Sequence, residues 1–99
     1  MANSKSADGA LLSGEKAVAS AGTAEALGTG IYHSLTIIAK SDNTGQVYVG
    51  GSDVASSTND GLDSLDVITF TSEKGIDLAK VYIDSGTSGD GVDFYAAMK

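Results

Sequence analysis

In YHSLTIIAKSDNTGQVYVG (32–50) the apolar residues alternate, pause and resume. Successive side chains on a strand point to opposite faces, so His33, Leu35, Ile37 and Ala39 share one face of the first half. Tyr32, Ser34, Thr36, Ile38 and Lys40 share the other. SDNTG (41–45) is turn chemistry: Asp and Asn bond their own backbone, and Gly accepts positive φ. QVYVG (46–50) then resumes the alternation with Val47 and Val49 inward. The segment predicts two strands joined as a β-hairpin.

The same punctuation extends in both directions. GSDVASSTNDGLDS (51–64) is polar and bounded by glycine, which predicts a loop with at most a brief strand near Val54. LDVITFT (65–71) predicts a strand, SEKG (72–75) a turn, and DLAKVYID (77–84) a strand with Ala79, Val81 and Ile83 on one face. SGTSGDG (85–91) turns the chain into VDFYAAM (92–98), whose Val92, Phe94, Ala96 and Met98 share a face. Upstream, KAVASAGTAEAL (16–27) reads as extended, because Gly22 interrupts any helix. Residues 1–15 are small and polar apart from Leu11 and Leu12, and they read as a flexible arm. Five or six strands at spacings of ~8–12 residues predict an all-β domain over 16–99, a small antiparallel β-sandwich, Ig-like or jelly-roll-like.

Charge and composition exclude several functions. The chain of 99 residues carries a formal charge of −7, and its six basic residues are all lysine. Phosphate neutralisation needs clustered cations and base reading favours the guanidinium fork, so nucleic-acid binding is not expected, nor is binding to an anionic membrane. Without cysteine there are no disulfides, thiol nucleophiles or zinc-thiolate sites. No apolar run approaches the ~20 residues of a membrane span, and the first fifteen residues lack a signal-peptide core, so folding in the cytoplasm is expected. A core this small gains from oligomerisation.

Chemistry is sparse. His33 is the single histidine, and its strand phase groups it with Leu35 and Ile37 as a packed imidazole. No Gly-x-Ser-x-Gly elbow occurs, and a hydrolase is not expected. Asp60, Asp63 and Asp66, or Asp84, Asp90 and Asp93, offer oxygens to Ca²⁺, but neither set has the spacing of a calcium loop and both read as turn formers. The glycines at 28–30 and 86–91 precede no helix and read as hairpin turns rather than phosphate cradles. No catalytic, cofactor or metal residues are nominated.

GTAEAL (22–27), SLTIIAKSDNTGQVYVGG (34–51) and DLAKVYIDSGTSGDGVDFYAA (77–97), in that order, resemble small virion proteins encoded among the head genes of tailed bacteriophages. The resemblance covers residues 20–97 and rests mainly on NTGQVYVG (43–50) with AKVYIDSGTSGDGV (79–92). It implies a β-sandwich of the head decoration, or cement, type: a non-enzymatic homotrimer on the capsid surface that binds the major capsid protein and needs no cofactor. Such relatives often carry a proline between the middle strands, and residues 51–66 have none. On this reading Leu11 and Leu12 are expected to touch the coat, and Tyr32, His33 and Ile38 to touch neighbouring subunits. A tail, fibre or neck component and a small glycan-binding module are the alternatives. Loops 51–64 and 85–91 contain no aromatic residue for a sugar platform.

Overall fold

A computed structural model describes residues 11–57 and 59–98. The described residues form an antiparallel β-sandwich of seven strands: β1 (Leu11–Ala17), β2 (Glu25–Ala26), β3 (Ile31–Ala39), β4 (Val47–Gly50), β5 (Val67–Asp77), β6 (Tyr82–Ser85) and β7 (Gly91–Ala97). Sheet A has the order β1-β7-β3-β5, and sheet B the order β2-β6-β4. Odd strands lie in sheet A and even strands in sheet B, so every connection crosses from one sheet to the other. Leu35, Ile37, Val92 and Ala96 from sheet A meet Val47 and Ile83 from sheet B, with Val18, Leu27 and Leu78 closing the core from the connections.

This topology corrects the hairpin expected over residues 32–50. β3 pairs with β5 and β7, while β4 pairs with β6. An arch between facing sheets and a hairpin within one sheet both bury one side of each strand, so the alternation is the same in the two cases. The turns expected at 28–30 and 86–91 are likewise corners between sheets, not hairpins.

The arm is corrected as well. Leu11 to Ala17 form β1, paired with β7 from Leu11↔Ala97 to Ala17↔Gly91. Leu12 packs against the core, and Gly14 leaves room for the Phe94 ring opposite it: a Cβ there would lie 2.5 Å from the ring. Arm residues 1–10 lie outside the described residues.

SEKG is not a turn between strands but a bulge within β5. Between Tyr32↔Ile76 and Ser34↔Thr71, β3 advances two residues while β5 advances five, and Gly75 takes φ +103°. The bulge also reverses the strand phase. Tyr32 packs against the core, as Leu35 does, with two residues between them instead of one. The expected grouping of His33 with Leu35 and Ile37 therefore fails. Residues 77–84 are not one strand either: Leu78–Lys80 form a single 3₁₀ turn, capped by the Asp77 carboxylate accepting from the Ala79 N–H at 3.0 Å.

Leu65 is the one described non-glycine residue at positive φ (71°), and 64% of its surface is exposed. It occupies the third position of a turn closed by the Asp66 N–H donating to the Asp63 carbonyl at 2.9 Å, where a type II turn favours glycine. Left-handed backbone costs a residue with a Cβ about 1–2 kcal/mol, and little burial is lost here. Leu65→Gly is expected to stabilise the fold by about 1 kcal/mol, read as a higher urea midpoint at unchanged slope.

Candidate functional surfaces

The register places the outer side chains of sheet A in three rows across β1, β7, β3 and β5. They are Leu11–Ala97–Ser34–Thr71, Ser13–Tyr95–Thr36–Thr69 and Glu15–Asp93–Ile38–Val67. Cross-strand partners share a face, so these twelve side chains form one surface. The Thr36 and Thr69 hydroxyls lie 3.5 Å apart across it. Its two carboxylates share one ammonium: Lys40 Nζ is 2.8 Å from Glu15 and 3.0 Å from Asp93. The hydrogen bonds to Glu15 and then Asp93 hold the Lys40 ammonium well above the usual lysine range. Two of the three rows are uncharged, in a chain with thirteen acidic residues.

Behind β5 the sandwich stays open. Val49, Phe70, Ile76 and Val81, with Lys80 at the margin, line an apolar cleft of about 320 Å³ between the sheets. A second cleft, of about 330 Å³, lies at the bulge and is lined by His33, Thr71, Ser72 and Glu73. It gathers a serine, a histidine and a carboxylate, but Ser72 stands on a bulged strand rather than at a nucleophile elbow.

The acidic residues serve the backbone. Asp90, 5% exposed, accepts the N–H groups of Thr44 (3.0 Å) and Gly45 (2.8 Å) and lies 3.3 Å from the Thr44 hydroxyl. Beside it the Asn43 amide acts as a short piece of strand. Its Nδ2 donates to the Gly91 carbonyl, and its Oδ1 accepts the Gly91 N–H, each at 2.9 Å. NTG (43–45) and DG (90–91) thus form one clamp, which ties the corner between β3 and β4 to the start of β7. Asp84, 2% exposed, accepts the N–H groups of Gly22 (3.0 Å) and Ser85 (2.8 Å). Asp63 accepts from Gln46, and Asp66 accepts the Asp63 N–H. Glu25 accepts the Ala19 N–H and pairs with Lys16 at 3.1 Å, and these contacts hold its carboxyl below the usual glutamate range. Among the described residues no three His, Cys, Asp or Glu side chains are grouped as a metal ion requires.

The five residues expected to make contacts are thus divided. Leu11, 65% exposed, and Ile38 lie on the outer face of sheet A. Leu12 and Tyr32 are partly buried and pack against the core, and His33 lines the bulge cleft. Sequence reasoning missed the outer face as a unit, because its rows are built from β1, β7, β3 and β5 and only register aligns them. It also missed Phe70 as a cleft residue, since a strand in isolation does not reveal that it overhangs the opposite sheet. No family model, no curated protein and no solved structure matches this chain.

Proposed function

We propose that this chain is a non-enzymatic structural protein of a phage virion: a decoration protein that binds the major capsid protein on the outside of the head. It folds in the host cytoplasm and acts on the capsid surface as a homo-oligomer. The observation that carries the reading is the outer face of sheet A. This surface exposes Tyr95 at its centre and Leu11 and Val67 at its ends, with charge confined to one row, and protein-docking surfaces are enriched in aromatic residues and depleted of charged ones at their core. The segment pattern of the resemblance supports the same reading. Lying flat, this face would bridge adjacent coat subunits and add contacts that must break before the shell ruptures. Each contact needs little strength, because many copies act on one lattice.

The test is occupancy. Purified virions are expected to hold on the order of hundreds of copies, as avidity on a repeating lattice requires. A handful per particle would move the protein to the neck or tail and overturn the proposal. Tyr95→Glu places a charge in the middle row at an exposed site, and it is expected to reduce head binding at least about tenfold, roughly 1.4 kcal/mol, with no change in thermal midpoint. Undiminished binding of this variant would remove sheet A as the docking face.

A further inference from the structure

We propose that β5 is a pairing edge through which two copies of this chain join antiparallel about a twofold axis at Thr69, making one continuous eight-stranded sheet. Exposed strand edges invite pairing, and folded proteins blunt them with charge, shortness, bulges or a covering segment. Three of the four edges here are blunted. β1 carries Glu15 and Lys16, β2 has two residues, and β4 is covered where Leu62 and Val47 exchange backbone hydrogen bonds of 2.7 and 3.1 Å. β5 is eleven residues long, and its protection begins only at the bulge. Before it, VITFTS (67–72) is uncharged, contains no Gly or Pro and is rich in strand formers.

Hydrogen-bond phase shows which backbone groups this edge presents. The Ala39 N–H donates to Asp66 on the β5 side, and the Lys40 N–H to Gly91 on the β7 side. By alternation Leu35 and Ile37 bond toward β5, where they face Phe70 and Ile68. Val67, Thr69 and Thr71 therefore direct their N–H and C=O groups outward. Among the described residues none of these three makes a backbone hydrogen bond to a connecting segment.

The occupant is a second copy, because its own β5 meets every requirement of this edge. Pairing Thr69 with Thr69 sets Val67 opposite Thr71, so all three outward-facing residues on each strand find partners. The same register sets Asp66 opposite Ser72, and no carboxylate confronts another, which matters between two chains of charge −7. On the inner side Ile68 meets Phe70 of the other copy, and this apolar pair covers the mouth of the 320 Å³ cleft that Phe70 lines. On the outer side the row Ser13–Tyr95–Thr36–Thr69 runs on into its twofold mate and doubles the uncharged face. This contact is isologous, unlike the threefold arrangement that the resemblance implies, and the two differ in mass.

The experiment uses the full chain, which has no cysteine of its own. Light scattering at roughly 100 µM is expected to give twice the chain mass, since any contact with a tighter Kd is populated there. Thr69→Cys should oxidise to a linked dimer, because a hydrogen-bonded pair places its Cα atoms about 5.5 Å apart, within disulfide reach. Val67→Cys, whose opposite residue is Thr71, should not link. Thr69→Pro removes the central donor and should give a monomer with an unchanged far-ultraviolet spectrum. If proline disturbs the fold, Val67→Lys with Thr71→Lys provides the same reading through edge charge. A monomer, a trimer, or Thr69→Cys linking no faster than Val67→Cys would overturn the proposal. Each of these outcomes is independent of whether the protein binds a capsid.

Discussion

Asp90→Ala is expected to cost about 3 kcal/mol of folding stability, although the residue lies in a polar glycine-rich turn. Its buried carboxylate accepts two backbone N–H groups, from Thr44 and Gly45, and charge-assisted bonds of this kind are roughly twice as strong as neutral ones. Alanine leaves both donors without their partner in a part-buried corner, and an unpaired buried donor costs about 1–3 kcal/mol. The Asn43–Gly91 clamp next to it would loosen too, since both pairs fix the 41–45 corner to the start of β7. Urea titration provides the measurement. Asp90→Asn, which keeps one acceptor oxygen, should lose about half as much as alanine. A loss below about 1 kcal/mol for alanine would mean that water replaces the carboxylate.

Gly14→Val should cost about 2–3 kcal/mol, against the usual preference of strands for β-branched residues. On an open strand valine is an improvement. Here the inner side of Gly14 is occupied by the Phe94 ring, and a Cβ would approach the ring's Cζ, Cε1 and Cε2 to 3.0 Å or less. Either the ring leaves its site, where Phe94 is 5% exposed, or β1 separates from β7. Amide hydrogen exchange distinguishes the two. Faster exchange confined to residues 11–17 locates the damage in β1, whereas faster exchange through β3 and β7 locates it in the core. Unchanged stability would show that Phe94 has another well-packed rotamer.

Both variants lie where sequence reading was weakest. The all-β class, the inward phases of Leu35, Ile37, Ala39, Val47, Val92, Phe94 and Ala96, and the loop after Gly50 were legible, because period-2 alternation depends only on a strand having one buried side. The pairing was not. Nothing in 32–50 distinguishes an arch from a hairpin, and the deciding contacts at the corner, Asn43 with Gly91 and Thr44 with Asp90, join residues 48 and 46 positions apart in the chain. Gly14 suggested a flexible arm because its reason, the Phe94 ring, comes from β7. SEKG carried true turn chemistry, but a bulge uses the same residues as a turn. The outer face of sheet A was invisible for the same reason as the hairpin error: strand faces can be read locally, whereas rows across strands require register.

The strict alternation of the chain between sheets also governs the order in which the molecule can form. Among the described residues no two consecutive strands are neighbours in a sheet, so these strands offer no local hairpin to nucleate folding, and each of their pairings must first close a long loop. β7 separates β1 from β3, so β1 cannot join sheet A until residues 91–97 have been synthesised. Sheet A is thus completed last, and the chain would fold slowly, as chains dominated by distant contacts do. Until then VITFTS is available to any strand in reach, including that of a neighbouring nascent copy, so self-pairing and misassembly draw on the same segment.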